Sequence, residues 1–312
     1  MCTAIHKNHL FGRTLDLECS LGEAITLTPR RYPLPFLHKP SNPCHLAFLG
    51  CAHLENGRAF YYDGVNEAGL AVAALNFPLS AHYDATRRAS NCLASYEVIP
   101  ALLSECRTLK EAKTLLTEIC VTDEVATTQY SATATPLHWM VATESGSLVA
   151  EPVREGLRVY ENPTDVLTNE PPFPYHQRRL CDFLFLSPSS PTNQFAPHLD
   201  LSPYSRGMGA MGLPGDFSSS SRFIRAAYAR AHLQWESGEE AESFFHLLDT
   251  VSQPKGLSLT EQGLPVYTVY AACMDLRSPS YSYTTYADRS IRCRTLSSEE
   301  AAGDRLLWEP MK

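Results

Sequence analysis

The second residue of the chain is a cysteine, set in Met1-Cys2-Thr3-Ala4-Ile5. Its side chain is small, so an aminopeptidase could remove Met1 and leave Cys2 at the N-terminus. One residue would then carry both a nucleophile and a base. A free thiol titrates near ~8.5 and an α-amino group near ~7.7–8.0. The amine could therefore take the thiol proton directly or through one water, and the thiolate is the strong nucleophile. A cysteine at this position also reads as a small core residue at the start of a strand, so the chemistry depends on what the rest of the chain places around it. The other reactive residues give weaker signals. The eleven histidines have neither triad-like nor metal-like spacing. His6 and His138 fall in predicted strands and read as structural. Cys44-His45 and Cys51 with His53 are too close in sequence to form a protease dyad. No C-x-x-C pair occurs among the ten cysteines, which argues against a structural zinc site. We expect no metal, no cofactor and no disulfides, with most thiols buried as small apolar groups.

The elements that must position Cys2 begin with a hairpin, Cys2–Lys7 and His9–Thr14, around the turn Lys7-Asn8. Ala47–Gly50 and Ala59–Tyr62 are short apolar segments. Leu70–Phe77 is a nearly continuous apolar run that suits a strand buried on both faces. Two helices are predicted over Ser95–Cys106 and Thr108–Cys120, the second with Thr108 as N-cap. Leu137–Ala142, Ser147–Glu151 and Leu157–Tyr160 read as a meander, and Pro171–Leu184 as a helix opened by prolines. Ser187–Pro203 and the glycine-rich Gly207–Gly215 read as loops. Helices over Ser219–Gln234 and Glu239–Val251 precede strands at Val266–Cys273, Tyr281–Tyr286 and Ser290–Thr295. Strands, two helices, strands, two helices, strands is the order of an α+β fold with two antiparallel sheets sandwiched between helix pairs.

Composition bounds the function. The chain has 312 residues, 44% hydrophobic and 19% charged, which is ordinary for a globular protein. No apolar run approaches the length of a membrane span. His6, Lys7, Arg13 and Asp16 interrupt the first 30 residues, so no signal-peptide core is apparent and a cytoplasmic location is expected. The net charge of −8 disfavours general nucleic-acid binding, because no basic stripe is present to neutralise phosphates.

Five further patterns accompany Cys2-Thr3. They are Gly12-Arg13-Thr14-Leu15-Asp16, Asn66-Glu67-Ala68-Gly69-Leu70, Leu75-Asn76-Phe77-Pro78, Leu167-Thr168-Asn169-Glu170-Pro171-Pro172-Phe173, and the stretch from Gly207 to Phe223 containing Ser218-Ser219-Ser220-Ser221-Arg222. Together, in this order, they resemble the choloylglycine hydrolase family: bile salt hydrolases and penicillin V acylases of the N-terminal-nucleophile class. The resemblance runs from Cys2 to around Arg294. It implies a four-layer αββα sandwich forming one catalytic domain over residues 2–312, after loss of Met1. It also implies an amidase with Cys2 as nucleophile and its own amine as base. By the same resemblance, Asn169 supplies a side-chain oxyanion donor and Asn76 a backbone one. Asp16 orients the α-amine, and Arg13 and Arg222 lie beside the thiol, where a cation favours thiolate. Family members are commonly homotetramers, so a homo-oligomer is expected.

Two substrate classes live in this family. Penicillin V acylases tend to carry tyrosine at the position of Asn76 and bile salt hydrolases asparagine, which favours glycine- and taurine-conjugated bile salts here. The thioester intermediate could also pass its acyl group to another amine. A flat amphipathic steroid needs an apolar groove, for which Phe60, Phe77, Met140, Phe173 and Met208 are candidates, with core packing as the competing reading. Arg206 could pair with the sulfonate or carboxylate of the conjugate. Glu170 departs from the small or amide residue usual after the asparagine, and a carboxylate there could weaken the oxyanion donor's field. The rival readings are an acylase for penicillin V or N-acyl homoserine lactones and a non-catalytic bile-acid or lipid-binding protein.

Overall fold

The computed structural model describes residues 1–87, 89–126 and 134–312. The strands and helices of the first half are β1 Cys2–Lys7, β2 Leu10–Leu17, β3 Glu23–Thr28, β4 Phe48–Glu55, β5 Arg58–Asn66, β6 Ala71–Asn76, β7 Cys92–Ala94, α1 Val98–Glu105, α2 Leu109–Glu118 and β8 Cys120–Thr122. There follow β9 Leu137–Thr143, β10 Gly146–Val153, β11 Gly156–Glu161, β12 Val166–Leu167, α3 Phe173–Arg179, α4 Ser219–His232, α5 Glu240–Asp249 and β13 Ser258–Leu259. The chain closes with β14 Pro265–Asp275, β15 Ser280–Thr285, β16 Arg292–Thr295, α6 Ser298–Ala301 and β17 Leu307–Pro310.

Two large antiparallel sheets dominate. One has the order β12-β1-β2-β14-β15-β16, with β13 beside β14; the other runs β11-β10-β9-β6-β5-β4-β3-β17. Their inner faces meet through β1, β2, β14 and β15 on one side and β4, β5 and β6 on the other. Helices α4 and α5 cover the first sheet, and α1 and α2 cover the second. The result is the expected α+β sandwich, with one apolar core around Ile5, Phe11, Leu49, Val65 and Met140. A second core lies under α1 and α2, around Phe48, Val72, Leu102, Leu116 and Trp139.

Local chemistry explains the boundaries near the site. Thr108 Oγ1 accepts the Glu111 N–H, and the Glu111 carboxylate accepts the Thr108 N–H, so a capping box starts α2 where the sequence places it. Ser218 Oγ accepts the Ser221 N–H and starts α4, which sets Arg222 in its first turn, facing β1. Gly12 lies in β2 because a Cβ there would sit 2.2 Å from the Ala272 carbonyl oxygen and 2.6 Å from the Phe244 ring. The predicted helix over Ser95–Cys106 begins instead as a single tight turn at Ser95–Glu97 before α1. The predicted helix over Pro171–Leu184 shortens to α3 and a tight turn at Leu180–Phe183. Strands β3, β7, β12, β13 and β17, and all of β8 but Cys120, fall outside the elements read from sequence. They are short, and distant partners order them: β12 pairs with β1, and β17 with β3.

Candidate active site

Cys2 opens β1 at one end of the first sheet. Alternation along the strands sorts its neighbours between the two faces. Cys2 is paired with Leu15, Thr3 with Thr14 and Ala4 with Arg13, so Cys2 and Arg13 share one face while Thr3, Thr14 and Asp16 share the other. Arg13 reaches Asp63 on the opposing sheet, and Thr3 receives Arg222 from α4. The thiol and Arg13 therefore lie between the sheets. Asp16 and Arg222 lie beneath them, on the helix side.

Asn169, two residues beyond β12, joins the pieces. Its Oδ1 accepts the Cys2 N–H at 2.8 Å and Arg222 Nη2 at 2.7 Å, and its Nδ2 donates to the Asn76 carbonyl at 2.8 Å. Two donors on one side and a carbonyl on the other define the amide orientation, because a flipped amide would oppose donor to donor. One Nδ2 hydrogen remains for a ligand. The Asn169 backbone is held as well: its N–H donates to Ser219 Oγ at 2.8 Å and its carbonyl accepts His176 Nε2 at 2.9 Å. Burial depresses His176 to about 4, so it is neutral at ordinary pH and donates that bond.

Arg222 also donates from Nη1 to the Cys2 carbonyl at 2.7 Å and to Thr3 Oγ1 at 2.6 Å. Burial lowers its pKa, and the charges of Asp16 and Cys2 oppose that shift. Arg13 is fully buried. Burial disfavours its charge, yet Cys2, Tyr270 and Asp63 raise its pKa overall. Its Nη1 donates to the Tyr62 carbonyl at 3.1 Å and stands 3.7 Å from Asp63, while Nη2 has no hydrogen-bond partner among the described residues. Asp63 in turn accepts the hydroxyls of Tyr270 at 2.5 Å and Tyr281 at 2.7 Å. Burial raises the Asp63 pKa, and Arg13 and the two tyrosines act against the rise.

Two β-bulges shape this cluster. Between β14 and β2 the register shifts from Thr268 opposite Asp16 to Tyr270 opposite Leu15. The extra residue turns Thr268 to the helix side, where its hydroxyl meets Asp16 Oδ1 at 2.7 Å, and turns Tyr270 inward to Asp63. The second bulge, between β4 and β5, leaves Tyr62 unopposed and presents its carbonyl to Arg13.

The structure thus brings Cys2, Arg13, Asp16, Asn76, Asn169 and Arg222 to one end of the sandwich. One expected contact, Asp16 with the freed α-amine, requires the loss of Met1 and is not formed in the unprocessed chain. The Asp16 carboxylate accepts Thr268, Gln253 and Thr14 rather than Cys2 N, and its backbone exchanges hydrogen bonds with Met1. With Met1 attached, Cys2 N is a peptide amide whose single hydrogen is taken by Asn169. Three groove candidates are corrected. Phe77, Met140 and Phe173 have no exposed surface. Phe77 stacks on His138, Phe173 packs against Tyr160 and Phe223, and Met140 lies in the inter-sheet core. Phe60 is nearly buried, stacked on His53. Arg206 is exposed and Met208 half-buried on a surface segment, and no hydrogen bond or ion pair among the described residues joins either to Cys2. Glu170 turns its carboxylate to Leu79 and Ser80 instead of to Cys2. The sequence reading missed Asp63, Tyr270, Tyr281, Thr268 and Gln253. Only Asp63 left a trace, as a carboxylate inside the otherwise apolar Phe60-Tyr61-Tyr62-Asp63-Gly64-Val65 segment.

Comparison with known proteins agrees with this geometry. The model for linear amide C–N hydrolases of the choloylglycine hydrolase family matches residues 2–305. A bile salt hydrolase/transferase of Lactiplantibacillus plantarum is 39% identical over 318 residues, covering 100% of this chain and 97% of the relative. A conjugated bile acid hydrolase of Lactobacillus acidophilus is 32% identical over 92% of this chain and 93% of its own. Among solved structures, a variant of the conjugated bile acid hydrolase from Clostridium perfringens superposes with a TM-score of 0.91 at 28% identity, over 100% of this chain and 97% of that one. A penicillin V acylase from Agrobacterium tumefaciens shares the fold, with a TM-score of 0.76 at 17% identity, over 99% and 90%.

Proposed function

Because the chain belongs to the choloylglycine hydrolase family of linear amide C–N hydrolases, we propose that it hydrolyses the amide bond of glycine- and taurine-conjugated bile salts, with Cys2 as nucleophile once Met1 is removed. The observation that carries this reading is the bridge made by Asn169, which holds the Cys2 nitrogen, Arg222 and the Asn76 carbonyl in one hydrogen-bonded unit. Removal of Met1 turns the Cys2 amide into an amine. That amine takes the thiol proton as sulfur attacks the substrate carbonyl. The negative charge that develops on the carbonyl oxygen is met by the remaining Asn169 Nδ2 hydrogen and the Asn76 backbone N–H. Collapse of the adduct breaks the C–N bond, and the Cys2 ammonium gives its proton to the leaving glycine or taurine. Water then adds to the thioester, with the amine as base, to release free bile acid and restore the thiol. Another amine in place of water would yield a new conjugate, in keeping with the transferase half of the L. plantarum relative's name. Arg13 faces the thiol from the inter-sheet side, where its charge interacts with Cys2.

Two finer readings belong here. A homo-oligomer is supported by the exposed apolar side chains of the segment spanning residues 184–211: Leu184, Phe185, Phe195, Tyr204 and Met211. Light scattering on the eluting protein gives its mass, and a monomer would end that reading. A cytoplasmic location accords with the exposed thiols Cys19, Cys44, Cys181 and Cys293, which a reducing compartment preserves. Cell fractionation tests it.

The deciding experiment pairs intact mass with turnover of taurocholate, glycocholate and penicillin V. Loss of Met1 with bile salt cleavage is the expected result. Cleavage of penicillin V alone would keep the nucleophile and overturn the substrate. Retained Met1 with no cleavage of any of the three would leave a binding protein.

A further inference from the structure

Glu170 follows the Asn169 donor directly, and its carboxylate makes three hydrogen bonds to the turn that follows Asn76. Oε1 accepts the backbone N–H of Leu79 at 2.9 Å and of Ser80 at 2.8 Å, and Oε2 accepts the Ser80 hydroxyl at 2.7 Å. The two segments that supply the proposed oxyanion donors are therefore tied twice. One tie is inside the site, from Asn169 Nδ2 to the Asn76 carbonyl, and the other is outside it, from Glu170 to residues 79 and 80. The inner tie uses one Nδ2 hydrogen and leaves the other for the substrate oxygen, so the outer tie adds a second, independent constraint on the spacing. The turn is anchored at its ends, by Phe77 buried against His138 with its N–H on the Pro136 carbonyl and by the His82 N–H on the Pro152 carbonyl, while its tip faces solvent. Leu79 is 86% exposed, and Asn76 ends β6 with an exposed side chain. A carboxylate gathering two backbone N–H groups and a hydroxyl is a stronger anchor than a neutral acceptor would be. Those bonds also aim the carboxylate at residues 79 and 80 instead of at Cys2.

We propose that Glu170 is a positioning residue that sets the distance between the Asn169 and Asn76 donors, so that both reach the same oxygen in the transition state. This inference rests on the amidase reading above. Displacement of a reacting group by ~1 Å costs up to about 100-fold in rate. Loss of one of two ties should therefore lower kcat of Glu170→Ala by about 10- to 100-fold, with KM within about threefold. Glu170→Gln keeps one oxygen as acceptor and should recover most of the loss.

The test combines three measurements on the wild type and both variants. Steady-state turnover of taurocholate reads the donors. The rate of Cys2 alkylation by iodoacetamide, followed on the N-terminal peptide by mass spectrometry, reads the nucleophile. Backbone hydrogen exchange of residues 76–81 reads the clamp itself. The expected result is a fall in kcat, an unchanged alkylation rate, and faster exchange of the turn in Glu170→Ala, with Gln in between. Unchanged exchange, or unchanged kcat in an active enzyme, would overturn the proposal. So would a parallel fall of kcat, alkylation and melting temperature, which would mark Glu170 as a general structural residue. A wild type that cleaves no bile salt would sink the substrate reading instead, while exchange would still decide whether the clamp exists.

Discussion

Asn169 carries two separable duties, and two substitutions pull them apart. Its Oδ1 anchors Cys2 N and Arg222, and its Nδ2 is the proposed oxyanion donor. Asn169→Ala removes both. Loss of one oxyanion donor costs ~10²–10³ in kcat, or about 2.7–4 kcal/mol of transition-state stabilisation. The same truncation strips Arg222 Nη2 and Cys2 N of an acceptor and the Asn76 carbonyl of a donor. A buried polar group left unpaired costs ~1–3 kcal/mol. Asn76 is exposed, so water can replace the donor lost to its carbonyl, and a net cost of roughly 2–4 kcal/mol and a Tm lower by roughly 5–10 °C are expected. Asn169→Asp keeps the acceptor and pairs it with the Arg222 charge. It sets an oxygen against the Asn76 carbonyl and against the developing oxyanion. Its kcat should fall by ~10³ or more, with less than half the Tm loss of the alanine variant. The assay is taurine release at saturating taurocholate, alongside thermal unfolding of the same samples. An aspartate variant that keeps kcat within a few-fold of wild type refutes the donor assignment. An alanine variant as stable as wild type refutes the anchoring argument.

Extending the chain before Cys2 with residues that no aminopeptidase removes keeps the nitrogen as an amide; turnover should fall by ~10²–10⁴ with Tm unchanged, since a positioned base is worth that much. Intact mass confirms the extension, and an active extended enzyme would dismiss the amine as base. Asn76→Tyr changes an exposed side chain at the end of β6 and leaves the backbone donor in place. Activity should shift from taurocholate toward penicillin V while the fold is kept, and no gain on penicillin V would withdraw the specificity role of Asn76. Stability should also depend on His176. Its pKa is about 4 in the folded chain against an ordinary 6.5, so the unfolded state binds the extra proton between those values. Its contribution is complete above pH 6.5 and is lost as pH falls toward 4, by roughly 3 kcal/mol at about 1.36 kcal/mol per unit. Denaturation midpoints across that window should fall more steeply for wild type than for His176→Gln, and parallel curves would show that His176 does not titrate on unfolding.

Much of the site is legible in the chain because its chemistry is local. A cysteine that can become N-terminal, an arginine and an aspartate three residues apart on the next strand, and an asparagine before a proline-rich helix start are all visible as short patterns. The element order likewise follows from hydrophobic period and from a capping residue such as Thr108. What the chain does not display is the partner of each group. Asp63, Tyr270 and Tyr281 meet Arg13 only because two sheets stack, and Thr268 and Tyr270 face opposite ways only because a bulge adds one residue to β14. Phe77, Met140 and Phe173 look like groove residues in one dimension and are core in three, because sequence hydrophobicity is blind to which apolar face is covered. Glu170 looks like a liability beside Asn169 until the fold brings residues 79 and 80 to its carboxylate from ninety positions away. The sequence by itself determined the reactive groups and the strands and helices that carry them. Only the tertiary structure decided which of those groups touch, because contacts between distant segments depend on sheet stacking and register, which no local pattern encodes.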